Sequence, residues 1–251
     1  PMSIYTCITL IACGLYLTAC ASTPEKLQGA DYYYVEGQKA YEKKRCVEAS
    51  EHFQRLVSNF PGSQRVTQSQ YMLAESYFCS EDYVNAAFEY QRLIDIYPTS
   101  DWAAEAQFKI GESFFEQMRR PELDQKETYE ALTAFRNFIE DNPSSPLIET
   151  ARERIRSCRE NLAEKIYLGA YLYQKQGYTE AARVSFQDVL RDYPDTAWYY
   201  QTLFRLGQLA LESANTDLAA QYWQEVLQGS DDVDLKKDVQ EALAQLNLSA
   251  G

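Results

Sequence analysis

Histidine is nearly missing from this chain: His52 is the only one in 251 residues. A lone imidazole builds neither a multi-histidine metal centre nor a nucleophile relay. Glycine-rich phosphate loops and dinucleotide fingerprints are missing too, and no close-spaced cysteine pair suggests a metal site. Basic residues are outnumbered, with 24 Lys and Arg against 37 Asp and Glu, a net charge of −13. An acidic body repels nucleic-acid phosphates and anionic headgroups, so no nucleic acid is expected as a partner. Apolar runs stay short of the roughly 20 residues that span a bilayer. These absences leave an expectation of a non-enzymatic protein without metal or cofactor.

What is plentiful is aromatic side chain: 20 Tyr and 11 Phe in a chain that is 45% apolar. Aromatics in that number either build a core or line a binding surface. The apolar run at residues 4–17 has the length of the hydrophobic part of a secretory leader. It ends in Leu17-Thr18-Ala19-Cys20, followed by Ala21. This resembles the bacterial lipobox, which implies a signal peptide over 1–19, lipidation of Cys20 and a lipidated linker over 20–30. Ala21, rather than Asp, behind that cysteine implies sorting to the outer membrane, on its periplasmic face. Several acyl chains on Cys20 would anchor firmly, since each buried CH₂ adds roughly 0.8 kcal/mol.

The rest reads as helix, with apolar residues at three- and four-residue intervals, and it repeats. Small residues at Gly37, Ala74 and Gly111 fall 37 apart, as do Ala170 and Gly207. Second-helix alanines sit at Ala49, Ala86, Ala131, Ala182 and Ala219, and four residues after each comes Phe53, Tyr90, Phe135, Phe186 or Trp223. Four units close on Phe60-Pro61, Tyr97-Pro98, Asn142-Pro143 and Tyr193-Pro194. The small residue lets the second helix come close, the aromatic fills the gap, and proline stops the helix. The pattern resembles the tetratricopeptide repeat. It predicts an all-α solenoid of five helix-turn-helix repeats with a C-terminal capping helix. The expected organisation is repeats one to three over 31–144, with an insertion at about 119–127, then a connecting helix at 145–160. Repeats four and five follow over 161–229, and a cap and tail over 230–251.

One combination is more specific: a lipobox, five repeats, an enlarged third repeat carrying Asp124-Gln125, and a long helix entering the fourth. With it come the stretches Asn161-Leu162-Ala163-Glu164, Gly177-Tyr178-Thr179-Glu180-Ala181-Ala182 and Arg191-Asp192-Tyr193-Pro194-Asp195-Thr196. Together they resemble the BamD family of lipoproteins, part of the machinery that assembles outer-membrane β-barrels. The resemblance implies a scaffold that binds BamA-like POTRA domains and other assembly subunits through its C-terminal repeats. It also implies that unfolded outer-membrane barrel precursors are received on the N-terminal ones. A Tol-associated periplasmic adaptor or a regulator of cell-wall enzymes is the alternative reading.

Three residues before each small residue stands an aromatic, including Tyr34, Tyr71 and Phe108, and four after it stand Tyr41, Phe78 and Phe115. Positions seven apart on a helix differ by only about 20°, so each first helix presents two aromatics on one face. That stripe is either a trough for an extended peptide or packing between helices. Substantial exposure of Tyr34, Tyr41, Tyr71 and Phe78 would mark the trough. Cys46 and Cys79, at helix ends that antiparallel stacking brings near each other, are a candidate disulfide. Cys158 would then be the unpaired thiol, and His52 is expected on a solvated surface.

Overall fold

The computed structural model describes residues 28–249, so the leader, the lipobox and Cys20 lie outside the described residues. Eleven helices follow one another among them. They are α1 (Ala30–Glu42), α2 (Cys46–Asn59), α3 (Val66–Cys79), α4 (Tyr83–Ile96), α5 (Ala103–Glu116) and α6 (Lys126–Asp141). Then come α7 (Ile148–Lys175), α8 (Thr179–Asp192), α9 (Trp198–Glu212), α10 (Thr216–Gly229) and α11 (Val233–Ser249). Each packs chiefly on its chain neighbours, as a solenoid requires. The pairs α1/α2, α3/α4, α5/α6, α7/α8 and α9/α10 are the five tetratricopeptide-like repeats, and α11 is the cap.

The pairing of small residue with aromatic holds each repeat together. A Cβ added to Gly37 would stand 2.9 Å from the Phe53 ring, one on Gly111 would stand 2.7 Å from Phe135, and one on Gly207 would overlap the Trp223 indole. All three aromatics are fully or almost fully buried. Trp223 also donates its ring N–H to the Phe204 carbonyl at 3.1 Å, so burial leaves no orphaned donor.

Helix ends repeat as faithfully. Phe60, Tyr97, Asn142 and Tyr193 each end a second helix with φ between −127° and −134°. The residue before proline is pushed out of the helical region in this way. Where Asn142 replaces an aromatic, its side-chain N–H₂ donates to Gln107 Oε1 at 2.8 Å and to the Phe138 carbonyl at 3.1 Å.

The turn inside a repeat uses a left-handed residue: Lys44 (φ 57°), Glu81 (62°), Gly177 (80°) and Ala214 (57°). The next N–H reaches back to the preceding helix, Arg45 to the Ala40 carbonyl and Asp82 to that of Tyr77, each at 2.9 Å. This is the Schellman closure, which satisfies carbonyls at a helix end. Only one of the four turns supplies the glycine that the conformation favours.

The connecting helix enters the fourth repeat without a break at 160/161, as α7 runs 28 residues from Ile148 to Lys175. Its N-terminal part packs on the third repeat and its C-terminal part is the first helix of the fourth. Pro146 stands before it and no proline interrupts it. The cap covers the array's end by burying Leu235, Val239 and Leu246 against a cluster that includes Trp223 and Val226. Its first turn is capped by Asp232 Oδ1, which accepts the Leu235 N–H at 3.0 Å.

Candidate functional site

The first helices of the repeats put their aromatics in two layers. Tyr34, Tyr71, Phe108, Tyr167 and Phe204 are all buried, with exposures of 5 to 9%. The Tyr34 ring meets Phe53, Tyr71 meets Tyr90 and Trp102, and Phe108 meets Phe135 and Phe138. Of the two readings of the stripe, Tyr34, Tyr71 and Phe108 follow packing and do not line a trough. These rings wedge each first helix onto its own second helix, and Tyr71 also onto the start of the next repeat. Period alone fixes their direction but not what arrives opposite them.

Tyr41, Phe78 and Phe115 form the outer layer and are half-buried. A cation lies over each: Lys44 at 5.8 Å from the Tyr41 centroid, Lys109 at 4.8 Å from Phe78 and Arg154 at 4.5 Å from Phe115. Two of these cations are held by carboxylates. Lys109 Nζ is 3.1 Å from Glu75 Oε1, and Arg154 donates twice to Glu112, at 2.7 and 3.2 Å. Glu75 also accepts the hydroxyls of Tyr41, at 3.1 Å, and of Tyr90. Burial, then the Glu75 charge, pushes the Tyr41 phenol up to about 12. Arg154 is raised by its hydrogen bond to Glu112. What the N-terminal half presents is a ladder of cations laid over aromatic faces, two of them paired with carboxylates, rather than an open apolar trough.

The fourth and fifth repeats carry a different arrangement. Arg205 Nε donates to the Tyr167 hydroxyl at 3.0 Å and Nη1 donates to Gln208 Oε1 at 3.0 Å. Its guanidinium lies 4.6 Å over the Tyr171 ring, with Lys175 on that ring at 5.2 Å. A cavity of about 530 Å³ opens beside these groups, between α7, α9 and the cap.

Asp124 and Gln125 serve the fold. Asp124 Oδ1 accepts the Lys126 N–H at 3.0 Å, at the start of α6. Gln125 is 3% exposed; its Nε2 donates to the Arg120 and Leu123 carbonyls at 2.8 and 3.2 Å. Its Oε1 accepts from Thr128 Oγ1 at 2.7 Å and from Asn161 Nδ2 at 2.6 Å. The insertion is thus stapled to α7 by a satisfied buried polar network. The Asp195 of the fourth-repeat stretch is gripped by Arg159 of α7, whose Nε reaches Oδ2 at 2.8 Å.

The structure joins Cys46 and Cys79 in a disulfide with a Cα separation of 5.8 Å. Cys158 is free and buried, and burial pushes its thiol up to about 12. His52 departs from the solvated position expected of it, being half-buried with ring contacts to Tyr32 and Tyr33. One feature was not anticipated from the sequence: Val84 and Phe88 of α4 are 68 and 62% exposed beside a cavity of about 470 Å³. The places equivalent to Phe88 in the other repeats hold Glu51, Thr133, Val184 and Gln221, so the repeat pattern does not single it out. Among the described residues no cluster of His, Cys, Asp and Glu could hold a metal ion. No helix there is long and apolar enough to cross a membrane.

The YfiO family model, described as outer membrane lipoprotein, matches residues 28–227. No curated protein sequence matches. Similar solved structures include the MamA protein (16% identity, 79% of this chain and 90% of that one, TM-score 0.37). A second is the TPR2AB domain of yeast Sti1 in a complex with pHSP90 (12%, 86% and 84%, 0.43). A third is a thermophilic TPR protein of Thermus thermophilus (16%, 86% and 100%, 0.37).

Proposed function

The chain belongs to the YfiO outer membrane lipoprotein family, and on that premise we propose that it is a non-enzymatic, lipid-anchored scaffold of β-barrel assembly. In this reading Cys20 carries the lipid, no other cofactor is used, and the repeats face the periplasm. BamA-like POTRA domains dock on repeats four and five. Unfolded barrel precursors meet repeats one to three, where Tyr41, Phe78 and Phe115 keep part of their surface free.

The observation that carries the reading is the two-part build within the family match. The second and third repeats present carboxylates that hold cations over aromatic rings, and the last two repeats present a cavity whose cations end on no carboxylate. A single long helix and a stapled insertion join them. Scaffolds that hold two kinds of partner need two chemically distinct surfaces at a fixed spacing.

The test is co-purification from membranes with a tag at Gly251, under conditions that keep the envelope complex whole. Recovery of a POTRA-containing barrel protein is the expected result, and its consistent absence would overturn the reading. Incorporation of a fatty-acid analogue into the wild type but not into Cys20→Ala checks the anchor separately.

A further inference from the structure

We propose that the groove between α4 and α6, floored by α5, docks an amphipathic helix of a partner protein, apolar on one face with lysine or arginine beside it. The groove is built on the second helices of repeats two and three. It is a third surface beside the two of the scaffold reading and does not depend on what those two hold.

One wall is apolar. Val84 and Phe88 of α4 stand one turn apart on the same face, both exposed, with buried Ala87 beside them. Ile110 and Phe114 of α5 form the floor. Cavities of about 470 and 190 Å³ share Gln91, Ile110, Phe114 and Glu130, so they are one continuous groove. Along α5 it extends from Gln107 to Gln117, about 15 Å at 1.5 Å per residue. Exposed apolar side chains scattered singly are ordinary, but these two form the lip of an apolar groove.

The equivalent grooves are covered. The residue three places after the second-helix alanine decides this, and it differs between repeats. In repeat two it is Glu89, buried on α3, where its Oε2 accepts from Gln70 Nε2 at 2.6 Å. In repeat five it is Tyr222, packed against the core. The cavity there is about 340 Å³, and its α8 wall carries Glu180 paired with Arg183. In repeat three the place holds Ala134, whose single methyl leaves the floor of α5 open.

Charge and backbone then select the occupant. The α6 wall presents Glu127 and Glu130, with Lys126 beside them. Among the described residues neither glutamate enters an ion pair. Two carboxylates against one ammonium, in a chain with 13 more acidic than basic side chains, favour a cation on the arriving partner. All three helices satisfy their own backbone bonds, so the groove has no edge with which an extended chain could pair. A helix brings its backbone bonds already made and lays its apolar face into such a groove. Its leucine-like residues meet α4 and α5, and its cations meet α6.

The probes are fluorescein-labelled helical peptides of about 14 residues, titrated against the full chain by anisotropy. One carries leucines at i, i+3, i+4 and i+7 with lysines alongside; a second has glutamates for the lysines, and a third has serines for the leucines. The first is expected to bind and the other two to bind at least about tenfold more weakly, a difference of about 1.4 kcal/mol. Val84→Ser with Phe88→Ser, both at exposed positions, weakens binding of the first peptide about tenfold. Glu127→Gln with Glu130→Gln weakens it severalfold, and Ala134→Tyr blocks it. Glu42→Gln with Glu241→Gln, exposed on α1 and α11, removes the same charge elsewhere and leaves binding unchanged. Failure of the first peptide to bind overturns the proposal. So does binding that survives the loss of Val84 and Phe88, or an equal loss in the Glu42 and Glu241 control. A dimer in light scattering that Phe88→Ser dissolves would assign the groove to a second copy and overturn it too. Recovery of the POTRA protein is scored separately, so the assembly reading and this site stand or fall apart.

Discussion

The two halves of the solenoid solve the same problem differently. Where first helices meet across repeats two, three and four, a cation crosses the gap, covers an aromatic and ends on a carboxylate of the previous helix: Lys109 on Glu75, Arg154 on Glu112. Between repeats four and five Arg205 crosses the same gap and covers Tyr171, but it ends on Tyr167 and Gln208. The two earlier steps are electrostatically closed and the last is left open. A paired charge in a half-buried place is satisfied already, and an outside partner must displace something to use it. An unpaired one offers its full strength to whatever arrives.

The largest test of this division concerns the disulfide, which lies in the first half. Cys46→Ser with Cys79→Ser opens a loop with a sequence separation of 33. Loop entropy predicts a loss of about 3 to 4 kcal/mol, measured by urea denaturation. If unfolding is one cooperative transition, the whole midpoint falls. If the halves melt separately, only the earlier phase moves, and the comparison sharpens into two cooperative units.

Smaller is the effect at the small-residue positions. Gly111→Ala pushes a Cβ into the buried Phe135 ring and is expected to cost about 1 to 3 kcal/mol. At Ala170, where alanine is native and fully buried, the substitution to Gly is expected to cost about 1 kcal/mol. Equal thermal shifts would show that the two halves are packed with the same tolerance.

The left-handed turns come next. Ala214→Gly relieves a φ of 57° and is expected to stabilise by about 1 kcal/mol. Glu81→Gly, at φ 62° beside Cys79, is expected to gain less, because the disulfide already restrains that turn. A greater gain at Glu81 would contradict the idea that the cross-link preorganises the first half.

The smallest effect is one of pH. Asp195 is held below the usual carboxylate range, first by its hydrogen bond to Arg159. A depressed pKa adds stability above the ordinary value near 3.9 and loses it as pH falls through the folded value. The pair is exposed enough that about 1 kcal/mol is the ceiling. Asp195→Asn should therefore lie below wild type at pH 7 and meet it in the acid limb.

The pairs Gly37 with Phe53, Gly111 with Phe135 and Gly207 with Trp223 were legible in the sequence because each small residue recurs in a first helix and each aromatic stands four residues after a second-helix alanine. The proline ends were legible for the same reason. The aromatic stripe was legible only in direction: burial of Tyr71 depends on Trp102 of the next repeat, a place that is aromatic again only at Trp198, which meets Tyr167 in the same way. The ladder was not legible at all. Arg154 reaches Glu112 across the insertion, where the 37-residue count breaks down. The left-handed turns escaped because Lys44, Glu81 and Ala214 are residue types that rarely advertise such a conformation.

One element belongs to both halves. Helix α7 has 28 residues, a length of about 42 Å at 1.5 Å per residue. Other neighbouring repeats meet through a turn, which can absorb rotation by changing a few dihedrals. An uninterrupted helix offers no such joint, because bending it sharply breaks backbone hydrogen bonds. Buried Gln125 and Asn161 further clamp the insertion to its midpoint. The solenoid is therefore torsionally coupled across its middle: a partner that turns the last two repeats must turn the first three with them.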